Sequence, residues 1–217
     1  LRYLHRTGDT LFDPDAPPAA ARPRDPDELA DRLRHGSPGV RLDALWDVAD
    51  ADAPSPDLLD AVRGCVGNAD RDVVAAAVEA VGAFGPAAAA AAPELVQALW
   101  YGEPGVRPAA ARALGRVAAD PAAAVPALAK VLGDRDSAVV RAAVEALGGF
   151  GPAAAGCVPE LTATIAAAVV GGQVEQVNES LSALRAVTGD VRAALRDHLP
   201  DPEHRRVARL ALREMGW

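Results

Sequence analysis

Apolar positions recur along this chain in two interleaved ladders. Val40, Val73, Val106 and Val139 stand 33 residues apart; Ala44, Ala77, Ala110 and Ala143 follow four residues later, and Val48, Val81, Leu114 and Leu147 four after that. Offsets of four and eight lie on one face of an α-helix. The second ladder is Leu29, Val62, Leu95, Leu128 and Leu161, with Leu33, Val66, Leu99, Leu132 and Ile165 four residues on. It marks the buried face of a second helix. The period predicts a helical hairpin repeated in register over four units, with the unchanging alanine where paired helices come closest. The segments VVAAAVEAVGAFGPAAA from Val73 and VVRAAVEALGGFGPAAA from Val139 differ at only three positions, so the register needs no gaps.

Punctuation follows the same period. Ser37, Asp70, Glu103 and Asp136 precede the opening valines by three residues and suit helix starts. Pro93, Pro126 and Pro159 share a phase expected near the start of the second helix, where a missing N–H costs little. The glycines, among them Gly67, Gly133, Gly85 and Gly151, are expected at turns in step with the repeat. Strand signals are absent from residues 26–217. After Ile165 the register breaks: Gly171-Gly172 and the polar run from Gln173 to Ser180 lengthen the unit, and Leu184 takes the place of Leu147 four residues late. The helix from Val191 to Leu199 is short. The last stretch, DPEHRRVARLALREMG from Asp201, sets His204 at the valine phase and Leu212 at the leucine phase. It reads as a terminal helix with a polar outer face, the cap an open-ended stack needs.

Composition narrows the chemistry. Alanine is the commonest residue of the apolar half of the chain, the net charge is −8, and Lys130 is the only lysine. A surface that tracks phosphates needs a basic stripe, so no nucleic-acid partner is expected. No membrane partner is expected either, because proline, glycine or charge breaks every alanine-rich run before it approaches a spanning length. His5, His35, His198 and His204 are scattered near the ends, so no metal site is expected. No catalytic constellation and no phosphate-cradling glycine loop is present, and no cofactor is expected. Cys65 and Cys157, nearly three units apart, read as small buried hydrophobes, which fits a reducing, cytoplasmic setting.

The motifs EPGVRPAAARALGRV from Glu103, DSAVVRAAVEALGGFG from Asp136 and DPEHRRVARLALREMG from Asp201 resemble HEAT repeats, in particular the short bacterial kind called phycobilisome-lyase HEAT-like repeats. The resemblance spans about residues 26–216. It implies an all-α fold, a right-handed α–α superhelix (a HEAT-like solenoid) of about five and a half helical-hairpin repeats. Residues 1–25 are expected to form a separate, extended, proline-rich arm, and residues 26–217 the repeat domain with a C-terminal capping helix. In that family an aspartate and an arginine near the first helix tie neighbouring repeats together. Asp70, Asp136, Arg41 and Arg107 match those positions, whereas Val74 and Val140 replace the arginine in two units.

A stacked array offers a long curved surface, so a non-catalytic protein-binding role is expected, as scaffold, adaptor, assembly factor or inhibitor of the immunity type. Bilin lyase subunits resemble these repeats too, so a lyase-like or chaperone-like role on a cofactor-bearing protein is the alternative. Residues that depart from the repeat are the candidate contacts. In the stretch LWYGEPG, Trp100 and Tyr101 stand where other units carry Gly67-Asn68 and Gly133-Asp134, and Glu103 follows them. Aromatics on a turn between repeats suit a recognition hot spot, or they fold back over the groove between units. Trp46 sits where Glu79, Arg112 and Glu145 stand, on a face otherwise solvated. The arm, with Tyr3 and Phe12, covers it, or it belongs to a binding patch, or it is a singly exposed aromatic without a role. Asp43, Asp47, Asp50, Asp52, Asp57 and Asp60 make the start acidic, and six arginines from Arg192 to Arg213 bias the other end, which leaves head-to-tail association open.

Overall fold

The structure, a computed structural model, describes residues 25–48, 55–117, 120–214 and 216. Its elements are α1 (Pro26–His35), α2 (Pro38–Val48), α3 (Pro56–Val66), α4 (Arg71–Phe84), α5 (Ala92–Tyr101), α6 (Val106–Arg116), α7 (Pro121–Lys130), α8 (Ser137–Phe150), α9 (Val158–Val170), α10 (Val174–Thr188), α11 (Val191–His198) and α12 (Pro202–Glu214). Short 3-10 turns cover Gly85–Ala91, Val131–Gly133 and Gly151–Cys157. No strand occurs among the described residues.

Even-numbered helices stack side by side in one layer and odd-numbered helices in the other. Of helices adjacent in the chain, those joined across the short turns pair more closely, α1 with α2, α3 with α4, and so on to α9 with α10, whereas α11 packs on α9 and α10 more than on α12. Those hairpins are half a repeat out of phase with units opened by the valine. The pairing gives α2 a partner in α1. Both sequence ladders are buried, from Leu29 and Ala44 to Leu161, except at Val40 on the first hairpin, which is exposed.

The seam between hairpins explains the abundance of small residues. A side chain added at Gly82 would meet Ala113 at 3.2 Å, at Gly115 it would meet Ala146 at 2.9 Å, and at Gly148 it would meet Ala183 at 3.3 Å. These three glycines stand 33 residues apart inside α4, α6 and α8, so not all glycines of the repeat are turn residues. They let the helices of the even layer approach backbone to backbone, a dispersion-rich contact. Gly85 and Gly151 do serve turns, with φ of 57° and 55° as the chain leaves α4 and α8.

Four arginine–carboxylate pairs bridge successive hairpins: Arg34–Asp57 at 2.6 Å, Arg63–Glu94 at 2.6 Å, Arg107–Asp134, and Arg141–Glu179 at 3.7 Å. Asp70 and Asp136, expected to tie repeats together, instead cap their own helices: Asp70 accepts from the amides of Asp72 and Val73, and Asp136 from that of Ala138. Glu103 caps α6 only through its carbonyl, which accepts from Val106 and Arg107. Asp47 and Asp57 of the acidic group are likewise paired with arginines.

Other expectations shift locally. Pro126 lies inside α7, which starts five residues earlier at Asp120-Pro121, where Asp120 accepts from the Ala122 amide. The polar run after Gln173 is the body of α10, and the added residues extend α9 through Val170 and make the turn at Gly172, φ 67°. The outer face of α12 exposes Val207 and Leu210 beside Arg206, Arg209 and Arg213, so it is not wholly polar. The stretches Arg71–Tyr101 and Ser137–Val170 are long and apolar enough to cross a membrane by length and composition, contrary to the expectation of interrupted runs. Each is two helices with a 3-10 turn between them, and their apolar faces form the core described above.

Candidate functional site

Hairpin turns line up along one edge of the array, and between consecutive turns the repeat builds the same small site three times. At the third, Arg107 from α6 donates from Nε to the carbonyl of Leu99 at 3.1 Å, and from Nη2 to the Asp134 carboxylate. Asp134 also accepts from the Asp136 amide. Burial pulls its carboxyl upward, but the Asp136 amide and the Arg107 guanidinium outweigh that and hold it below the usual aspartate range. At the first, Arg41 donates to the carbonyl of Arg34 at 2.9 Å, and its Nε is buried without a hydrogen-bond partner. Asn68 stands there in place of Asp134, and its side chain accepts from the Asp70 amide.

The middle site differs. Val74 replaces the arginine, and Tyr101 replaces the Asn or Asp. A cleft of about 320 Å³ opens there, lined by Val66, Gly67, Val74, Gln97, Tyr101 and Glu103 among others. Trp100 and Tyr101 are the last two residues of α5 rather than part of the turn, which begins at Gly102. Their rings meet edge to face at 6.4 Å between centroids. Trp100 turns toward the third site, where Lys130 Nζ lies 4.5 Å from the centre of its ring. It is 38% exposed, whereas Tyr101 is 83% exposed. The two readings of LWYGEPG therefore divide between neighbours, with Trp100 half packed against the next hairpin and Tyr101 held out over the cleft.

Of the other sequence candidates, Glu103 joins Trp100 and Tyr101 at this edge and is exposed, without an ion pair among the described residues. Trp46 is remote, on α2, and 49% exposed. Tyr3 and Phe12, with the covering role expected of the arm, lie outside the described residues. Lys130 and Gln97 were missed as neighbours of the aromatics; the signal was available, since both share the phase of Gly64. Among the described residues no group of three or more His, Cys, Asp or Glu side chains is gathered as a metal ion would need.

The family model for HEAT repeats matches residues 26–104 and 92–181. The chain belongs to the HEAT-repeat family. Its solenoid is similar to the complex of CpcE and CpcF of phycocyanin lyase from Nostoc sp. PCC7120, with a TM-score of 0.65 and 25% identity over 92% of this chain and 79% of that one. An engineered protein gives a TM-score of 0.64 at 19% identity, covering 87% of this chain and 95% of that one. A chain of the AP-3 complex gives 0.61 at 18% identity, covering 79% of this HEAT-repeat chain but 33% of its own length. The last two establish the fold alone. No curated protein matches in sequence.

Proposed function

We propose that this chain is a non-catalytic protein-binding module, acting as scaffold, adaptor, assembly factor or inhibitor, and that it meets its partner along the hairpin-turn edge at Trp100, Tyr101 and Glu103. The observation that carries the reading is Tyr101: a large ring, 83% exposed, at a phase where the turn needs only Asn or Asp. Tyrosine supplies contact area at low entropic cost, so an exposed one beside a cleft suits recognition. The two thiols are poor nucleophiles, since burial pushes Cys157 up to about 11 and raises Cys65 as well. Two unpaired, buried cysteines also fit a cytoplasmic setting. The test is affinity capture from native lysate, wild type against a folded Trp100→Ser, Tyr101→Asp double variant. A partner kept by the first and lost by the second supports the reading, and identical capture overturns it.

A second reading, a bilin-lyase-like or chaperone-like subunit on a cofactor-bearing protein, is favoured by the likeness to the phycocyanin lyase pair at 25% identity. Adding a free bilin and recording visible absorption tests it. A red-shifted, sharpened band supports the role, and an unchanged spectrum removes it.

A further inference from the structure

We infer that the cleft at Val74 is a socket for an arginine side chain of the protein partner, an inference that rests on the binding-module reading. The evidence is the chain's own use of the flanking sites. In the first and third, an arginine of this chain donates to a carbonyl near the C-terminal end of the preceding odd helix, Arg34 O or Leu99 O, and a cleft of about 310 Å³ remains beside Arg41. In the middle site the corresponding residue is Val74, which is too short to make that contact with the end of α3 at Val66 and Gly67, so the cleft of about 320 Å³ carries no guanidinium at this phase. The surroundings remain suited to a guanidinium. The C-terminal end of α3 presents the negative pole of the helix. Glu103 offers a carboxylate not engaged by another side chain, and Tyr101 offers a ring face for a cation–π contact. The adjoining site already holds a cation over a ring, with Lys130 on Trp100. Arg71 is the one cation at the rim; its side chain is 77% exposed and is paired with Asp72 at 3.5 Å. At Val140 the arginine is missing too, but Ala167 and Val169 take the phases of Tyr101 and Glu103, so neither ring nor carboxylate is offered.

The test uses the full 217-residue chain, labelled with 15N. The probe is a blocked Gly-Ala-Arg-Ala-Gly peptide, compared with the same peptide carrying citrulline, which keeps the shape and removes the charge. Amide signals of Val74, Tyr101 and Gly102 are expected to shift with the arginine peptide, with binding at least about tenfold weaker for citrulline. Tyr101→Ala should weaken it about fivefold. Val74→Arg, checked as folded by circular dichroism, should supply the missing side chain internally and abolish the response. Equal binding of citrulline, no shift at these amides, or an undiminished response in Val74→Arg overturns the socket. The two ideas fail separately. Partner capture lost in the Trp100→Ser, Tyr101→Asp double variant without any arginine response leaves a binding module with no socket, whereas an arginine response without partner capture leaves a guanidinium site and removes the module.

Discussion

Between hairpins the seam is made of the smallest side chains, whereas at the N-terminal end the same phases carry aspartates. Ala76, Ala109 and Ala142 are buried against the preceding hairpin, as are Ala80, Ala113 and Ala146; in α2 those two phases are Asp43, exposed, and Asp47, held by Arg32 at 3.5 Å. Arg209 and Arg213 make the matching change on α12, at the phases of Val78 and Gly82. A charge at a phase that a further hairpin would bury opposes continued stacking there, because desolvating it is costly. The difference teaches that alanine at the seam is a continuation signal and aspartate a stop.

Moving the stop inward should have the largest effect. Ala146→Asp sets an unpaired carboxylate against the backbone of Gly115 and is expected to cost about 3–5 kcal/mol, with loss of a single cooperative transition in urea. Asp43→Ala, the opposite change at the exposed end and at the phase of Ala142, should leave the midpoint nearly unmoved. A mild Ala146→Asp would break the comparison. Gly115→Ala comes next: its Cβ would sit 2.9 Å from that of Ala146 and 3.0 Å from the Ala146 backbone, so overpacking outweighs the helix-propensity gain. A net loss of about 1–2 kcal/mol is expected in thermal unfolding.

The polar ties between hairpins are weaker than the seam. Arg107→Ala should cost about 1–2 kcal/mol, since Asp134 is only 16% exposed and loses a charged partner. The same tie predicts acid sensitivity. The Asp134 pKa is lowered in the folded state, so its contribution is present above the unfolded aspartate value near 3.9 and disappears as pH falls through the lower folded value. Wild-type stability minus that of Asp134→Asn should therefore shrink below about pH 4. The smallest effect sharpens the comparison at one residue's distance. Gly149 neighbours Gly148 in α8 but has open space around it, so Gly149→Ala should stabilise by about 0.5–1 kcal/mol while Gly148→Ala does not.

Most of the architecture was legible because a packed seam repeats its demands every 33 residues, and Val, Ala and Leu report them directly. The pairing of helices was not, since a period has no origin: the valine opens a unit in the sequence, yet α1 closes on α2 across Gly36 and Ser37. The seam glycines were masked by their residue type, which also serves turns. At the candidate site the oddity of Trp100 and Tyr101 was visible, and so was Val74 in an arginine's place. That they converge on one cleft depends on where α5 ends, and the aromatics prolong that helix to Tyr101 where a Gly-Asn pair stops α3 at Val66.

The stacking of Lys130 on Trp100 has a practical consequence. With one lysine in 217 residues, an amine-selective acylating reagent has a single side-chain target, and it lies within one hairpin of the proposed contact edge. Acylation would remove the cation from the ring and label that edge in one step. Protection of Lys130 in a bound complex would then report occupancy of the edge with no engineered tag.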